Sequence, residues 1–202
     1  MKIVDLEQGS IEWHEYRFGK ITGTRMKSVQ GTKKVQETLM NELIAERMCH
    51  NEISEFSNAA MEWGNEQEPF ARLASSDATG LDYKECGMLE LDDYVAFSPD
   101  GVVIDNGVVV GGIEIKCLSS KKHVEYIRGG VIPKEYWWQV ATPFILSDDI
   151  EFWDFALYDS RNYYMPLKMY RMSRESINVE ESRNTLNCFV SKIKSELDNL
   201  IF

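Results

Sequence analysis

Ser98-Pro99-Asp100-Gly101-Val102-Val103-Ile104-Asp105-Asn106-Gly107-Val108-Val109-Val110-Gly111-Gly112-Ile113-Glu114-Ile115-Lys116 decides the reading of this 202-residue chain. Asn106-Gly107 between two apolar runs is the signal for a two-residue hairpin turn. Alternate residues of a strand share a face, so Glu114 and Lys116 project together while Ile113 and Ile115 face the core. Strict two-residue pairing sets Asp105 opposite Val108 and Asp100 opposite Ile113, which puts the two carboxylates on opposite faces. One extra residue corrects this. Glycine accepts the backbone angles of a bulge most easily, so an irregularity is predicted at Gly111-Gly112 or Gly101, bringing Asp100 opposite Glu114.

Two carboxylates beside a lysine suit a metal-dependent phosphodiesterase centre. A hard cation such as Mg²⁺ takes oxygen ligands and keeps several waters, so one or two carboxylates suffice to hold it. It activates water and polarises a phosphoryl oxygen, and a nearby ammonium orients the nucleophile or stabilises developing charge. Each motif alone has an ordinary reading: Glu-x-Lys as a solvated strand face, Pro-Asp-Gly as a turn. Their order and spacing together are more specific.

The Pro99-Asp100 and Glu114-x-Lys116 pair resembles the PD-(D/E)xK nuclease signature. Its surroundings resemble the phage-type alkaline exonucleases, the lambda exonuclease or YqaJ-like recombinase group. The resemblance rests on further blocks in the family's order: Trp13-His14-Glu15-Tyr16-Arg17-Phe18-Gly19-Lys20-Ile21-Thr22-Gly23-Thr24, Trp63-Gly64-Asn65-Glu66-Gln67-Glu68, and Tyr136-Trp137-Trp138-Gln139-Val140. It implies an α/β fold with a restriction-endonuclease-like core, a central mixed β-sheet flanked by helices, in one domain over residues 1–202. It further implies that Asp100, Glu114 and the main-chain carbonyl of Ile115 hold Mg²⁺ or Mn²⁺, as two ions, with Glu68 as an additional ligand and Lys116 as the catalytic lysine. Gln139 matches a glutamine that orients water or a phosphate. Arg17, Thr24 and Ser98 correspond to a pocket for a 5′ phosphate, with threonine where the family often has serine. Met61 falls where a hydrophobic side chain can wedge between strands at a duplex end, or packs within its helix.

The activity implied is 5′-to-3′ exonuclease digestion of linear double-stranded DNA to 5′-mononucleotides, leaving a 3′ overhang for single-strand annealing recombination. A homotrimeric ring, an annealing-protein partner and a bacterial host cytoplasm come with the same resemblance. A DNA endonuclease of the superfamily and a non-catalytic DNA-binding or assembly protein are the alternatives. The Arg17, Thr24 and Ser98 set argues against the first, and the complete Asp100, Glu114, Lys116 set against the second.

Composition sets the outer bounds. Hydrophobic residues at 44% and aromatics at 11% argue against disorder, and the length suits one α/β domain with a full core. No stretch has the apolar length of a membrane span and Met1-Lys2-Ile3-Val4-Asp5 lacks a signal pattern, so a cytosolic protein is expected. Cys49, Cys86, Cys117 and Cys188 are scattered, which suggests buried reduced thiols and no iron-sulfur cluster. His14, His50 and His123 lack zinc spacing and read as surface or structural residues. A net charge of -11 is unfavourable for binding phosphates unless cations are segregated onto a groove. Arg17, Lys20, Arg25, Lys27, Lys33, Lys34, Lys116, Lys121 and Lys122 are the candidates, with Asp148, Asp149 and Glu151 repelling DNA from other surfaces.

Gln8–Gly23 reads as a short helix leading into a glycine-containing turn, with Thr24-Arg25-Met26 opening another segment, and helices are predicted over Lys34–Cys49, Ala59–Ala74 with Pro69 in a first turn or kink, Lys134–Leu146 opened by Pro133, and from about Glu175. Strands are predicted at Met88–Glu90, Tyr94–Ile104, Val108–Leu118, Glu151–Tyr158 and Tyr163–Arg171.

Overall fold

The computed structural model describes residues 1–49 and 59–201; His50 lies outside them. Strands β1 (Lys2–Val4), β2 (Met88–Asp92) and β3 (Val95–Phe97) form a small antiparallel sheet. Strands β4 (Gly101–Asp105), β5 (Val108–Cys117), β6 (Phe152–Tyr158) and β7 (Leu167–Ser173) form a mixed sheet in that order, with β5 and β6 parallel. The helices are α1 (Ile11–Arg17), α2 (Gly23–Val29), α3 (Lys33–Met48), α4 (Ala59–Thr79), α5 (Ser120–Gly129), α6 (Trp137–Leu146) and α7 (Val179–Ile201). The α/β class is as the sequence implied, but the strands divide between two sheets rather than one. No helix among the described residues is long and apolar enough to cross a membrane.

The division occurs at the diagnostic stretch. Tyr94–Ile104, expected as one strand, is two strands in different sheets, interrupted at Ser98-Pro99-Asp100. Pro99 has no N–H to give to a ladder, so pairing stops there and the chain passes from one sheet to the other. An isolated pairing of Lys84 with Val102 extends the bonding around β4.

The Asn106-Gly107 turn forms with both residues at positive φ, +49° and +81°, the backbone that such a hairpin requires. Asp105 pairs with Val108 and Ile104 with Val109, but the next pair is Val103 with Gly111, so Val110 is the extra residue. The predicted irregularity therefore exists, one position before the glycine pair. Beyond it Gly101 pairs with Ile113, which brings Asp100 level with Glu114. The two glycines serve packing instead. A Cβ on Gly112 would fall 2.6 Å from the Gly101 carbonyl oxygen and closer still to the Trp153 indole, and one on Gly111 would meet the Phe152 ring.

The parallel β5–β6 pair requires a crossover, which α5 and α6 supply. On one face of the sheet, Ile113, Ile115 and Cys117 cluster with Ala71 of α4, Tyr83 and Ala156. The larger cluster holds Phe155 and Trp153 of β6 against Phe97, Phe144 of α6, and Leu186 and Phe189 of α7. Burying such aromatic and aliphatic side chains contributes roughly 1.5–3 kcal/mol each.

Several boundaries differ from the expected ones. The short helix expected in Gln8–Gly23 is α1, its glycine-containing turn is present, and the segment expected to open at Thr24 is α2, which starts at Gly23. Ser10 caps α1 by accepting the Trp13 N–H at 3.1 Å, and Gly19 at φ +66° lies in the connection. Pro69 sits well inside α4, where it forfeits one backbone bond of the ladder. Pro133 precedes a turn, closed by the Tyr136 N–H on its carbonyl at 2.9 Å, so α6 starts at Trp137. The final strand begins at Leu167 rather than Tyr163, and a 3-10 turn at Arg174–Ser176 precedes α7. Strand β1 and helix α5 were not expected. The latter is a short helix capped by Ser119 and closed by Gly130 at φ +70°.

Candidate active site

Asp100, Glu114 and Lys116 meet where the chain leaves the small sheet and enters β4. The Asp100 carboxylate accepts the main-chain N–H of Ile115 at 2.6 Å, through Oδ2. That N–H lies between Glu114 and Lys116 along β5, so the bond pins Asp100 to their strand. Glu114 is fully buried. Its Oε1 bonds the Lys116 ammonium, while its Oε2 finds no hydrogen-bond partner. Across the parallel pairing Glu114 stands beside Phe155.

Glu68 joins this group from α4. Its Oε1 is 2.9 Å from Nη2 of Arg72, one helical turn on, and Arg72 Nε donates to the Asp100 carbonyl at 2.7 Å. Arg72 thus ties the helix carrying Glu68 to the loop carrying Asp100. No role had been read for it from sequence, although a Glu and Arg four apart on a helix face are recognisable as a pair.

The electrostatics are those of crowded acids. Burial pushes the Glu114 carboxyl up to about 8, the charges of Asp100 and Glu68 add to the rise, and Lys116 opposes it. Glu68 is pushed up to about 7 by burial and then by Asp100, against the pull of Arg72. Burial also raises Asp100, with Lys116 and the Ile115 N–H countering. Burial disfavours the Lys116 ammonium, but Glu114 and Asp100 outweigh this and hold its pKa above the ordinary lysine value. Lys116 Nζ also lies 5.4 Å from the centroid of Tyr136, whose ring is stacked on Phe155 at 5.5 Å.

This donor set fits a hard divalent cation. An orphaned buried carboxylate oxygen on Glu114, and a carboxyl raised by burial and by the charges of Asp100 and Glu68, are what a positive charge beside it would satisfy. Among the described residues no three acidic, histidine or cysteine side chains form a ready-made cage. Asp100 and Glu114, the Ile115 carbonyl and water make up a set typical of Mg²⁺, which rarely uses an all-protein site.

A second group lies at the other side of the Ser98-Pro99-Asp100 turn. Arg17 Nη1 is 3.5 Å from Ser98 Oγ, and Trp13 Nε1 donates to the same hydroxyl at 3.1 Å. The Arg17 guanidinium lies 4.0 Å over the Trp13 ring. Burial and the neighbouring Arg25 lower Arg17 to about 10, which leaves it cationic at neutral pH. Thr24 is exposed in the first turn of α2, its hydroxyl 3.1 Å from that of Thr22. It has no bond to Arg17 or Ser98, but Gly23 before it packs against Phe97, the residue preceding Ser98. Gln139 of α6 reaches the same place: a Cβ on Gly23 would lie 3.4 Å from its Cγ.

Other expectations hold in part. Lys20 is buried with its ammonium 3.1 Å from Glu90, and Arg25 forms a two-pronged pair with Glu46, so both are structural cations. Lys27, Lys33, Lys34, Lys121 and Lys122 are exposed. Asp148 is paired with Arg174 and Arg183, at 3.3 and 2.8 Å, and is no free repelling charge. Met61, in the first turn of α4, is 48% exposed. Cys86 and Cys117 are buried, but Cys49 and Cys188 are exposed. His123 is fully buried, with Nε2 2.9 Å from the Met165 carbonyl oxygen, a structural contact.

The fold and this cluster have counterparts among known proteins. Two crystal structures of an alkaline exonuclease from Laribacter hongkongensis, one in complex with dAMP, match at a TM-score of 0.81 and 31% identity, over 95% of this chain and 96% of that one. A phage related exonuclease from Haemophilus somnus 129PT shares the fold at a TM-score of 0.59 and 16% identity, over 90% of this chain and 95% of that one. No curated protein matches the chain. The model of the YqaJ-like viral recombinase domain matches residues 12–148, well over half of the sequence, and the chain therefore belongs to the YqaJ-like, lambda-exonuclease-like family.

Proposed function

We propose that the chain is a Mg²⁺-dependent 5′-to-3′ exonuclease that degrades one strand of linear double-stranded DNA to 5′-mononucleotides and leaves a 3′ overhang for single-strand annealing recombination. The observation that carries this reading is the convergence of Asp100, Glu114 and Lys116, with Glu68 adjoining, in one largely buried cluster. The 31% identical relative, an alkaline exonuclease crystallised also with a mononucleotide, supports it over nearly the whole chain.

Asp100, Glu114 and the Ile115 carbonyl would hold the cation, with Glu68 as a further ligand, in a reading that takes two ions. When bound, the cation supplies charge that activates water and neutralises the phosphoryl group in the transition state. The Lys116 ammonium, aimed by Glu114 and flanked by the Tyr136 ring, orients the attacking water and stabilises charge on the phosphoryl oxygens. Arg17 offers a planar fork of donors to a terminal 5′ phosphate, and Ser98 and Thr24 add hydroxyls. Gln139 orients water or a phosphate. Met61, half-exposed on α4, would wedge between the strands of a duplex end. A homotrimer, a single-strand annealing partner and a bacterial host cytoplasm complete the reading.

The test is digestion of linear duplexes labelled at the 5′ or the 3′ terminus, with and without a 5′ phosphate, beside the closed circular form of the same DNA. Mononucleotide release from phosphorylated 5′ ends in Mg²⁺, with the closed circle intact, is the expected result. Cutting of the closed circle would make the protein an endonuclease instead.

A further inference from the structure

Tyr163 and Tyr164 stand in solvent at 95% and 98% exposure, on a loop that is otherwise tightly built. The Asp159 N–H donates to the Pro166 carbonyl at 2.9 Å and closes the loop at its base. Asn162 Oδ1 accepts the N–H groups of Tyr164 and Met165 at 3.2 and 3.1 Å. Buried Asp159 accepts from the Arg161 N–H and Nε at 3.1 and 2.7 Å. A loose loop could fold aromatic rings inward. This one spends its polar groups on a rigid turn that keeps two rings in water, the preorganised form of an aromatic contact surface.

Its anchors reach the elements of the candidate active site. Arg161 Nη2 donates to the carbonyl of Leu118, two residues past Lys116, and its guanidinium lies 4.2 Å over Trp63 of α4. The Ser160 hydroxyl donates to Gln67, the neighbour of Glu68, at 2.7 Å. Charge there does not oppose a polyanion. From Ser160 to Arg174 the chain carries Arg161, Lys168, Arg171 and Arg174 and no acidic residue, within a protein of net charge -11. Arg161, Arg171 and Arg174 are paired with carboxylates, which leaves Lys168 as the cation of this stretch with no carboxylate partner among the described residues.

We propose that Tyr163 and Tyr164 are a stacking platform for unpaired nucleobases of the DNA handled by the adjoining site, an inference that rests on the nuclease reading above. Aromatic rings stack on any base, but a base inside a duplex already has both faces covered, so the platform favours a single-stranded segment.

The test places 2-aminopurine in the 3′ overhang of a short duplex and follows its fluorescence and the binding anisotropy in chelator, against a blunt duplex. Wild type is expected to quench the fluorophore and bind the overhang form more tightly. The Tyr163→Ala/Tyr164→Ala variant loses the quench and weakens overhang binding roughly tenfold or more. The Tyr163→Phe/Tyr164→Phe variant, which keeps both ring faces, retains both signals. Circular dichroism confirms that the alanine variant is folded. Unchanged quenching and affinity in the alanine variant, with wild type digesting linear duplex in Mg²⁺, overturns the platform and leaves the nuclease reading intact. A wild type that neither binds nor cleaves DNA overturns both. Altered oligomer mass in the alanine variant, with overhang affinity intact, assigns the rings to contacts between copies and overturns the proposal.

Discussion

The Asp100 carboxylate, just before β4, and the Ile115 main-chain N–H of β5 are joined by a 2.6 Å hydrogen bond at the open end of the hairpin. Backbone amides do not change rotamer, so this bond fixes one acid relative to a strand whose flanking residues are Glu114 and Lys116. The site is therefore organised by the register of a hairpin, and its acids remain held together against their mutual repulsion.

Asp100→Asn keeps an oxygen for the Ile115 N–H but removes the charge. Mg²⁺-dependent hydrolysis is expected to fall by roughly a hundredfold or more, with DNA binding retained and thermal stability unchanged or raised, since Glu114 loses a repelling neighbour. Single-turnover digestion and thermal melting of the same preparation check it. Full activity in the variant would remove Asp100 from the chemistry.

The raised carboxyls set a pH dependence whose sign follows from proton uptake. Glu114 near 8 and Glu68 near 7 stand above the ordinary 4.5, so the folded state binds more protons than the unfolded one between those values. Stability in chelator is thus complete below about pH 4.5 with respect to these groups and declines as pH rises towards 8. Mg²⁺ displaces those protons, so its stabilising effect grows from pH 6 to pH 9. Calorimetric melting with and without Mg²⁺ across this range reads both trends, and a pH-independent effect of the ion would contradict the metal assignment.

Arg17→Ala should erase the preference for 5′-phosphorylated over 5′-hydroxyl ends. Loss of a charge-assisted contact worth roughly 1.5–3 kcal/mol corresponds to about ten- to a hundredfold in the ratio of the two rates. Arg17→Lys restores only part of it, because an ammonium lacks the planar fork. Competition between the two end types in one reaction measures this ratio directly.

Gly112→Ala is expected to destabilise the fold by roughly 1–3 kcal/mol, since the new Cβ meets the Gly101 carbonyl at 2.6 Å and the Trp153 indole. Asn106→Ala, in the turn at φ +49°, should cost about 1 kcal/mol. Urea unfolding ranks the two. The reverse order would show that the turn, rather than the packing of β5 on β6, limits this hairpin.

Much of the site was legible because short-range rules govern it. A period of two puts Glu114 and Lys116 on one face, and Asn106-Gly107 fixes the turn from which the register is counted. The need for a bulge followed by counting alone. Its position did not, because Gly111 and Gly112 are claimed by Phe152 and Trp153, rings that arrive from forty residues further along the chain. The break at Pro99 was visible as a missing donor, yet that the chain changes sheets there was not. Likewise Lys20 and Arg25 resembled phosphate-binding cations in sequence, whereas Glu90 and Glu46 neutralise them across the fold.

By itself the sequence determined what neighbours along the chain can decide: the hairpin, the alternation on β5, the helix faces and the residue types that the proposed metal-assisted hydrolysis would use. Only the tertiary structure decided which carboxylates share a pocket, which cations are already paired, and that Tyr163 and Tyr164 are held in water. The reason is physical. Local backbone preferences act over a few residues, while burial and Coulomb interactions depend on distances in space that only the closed fold sets.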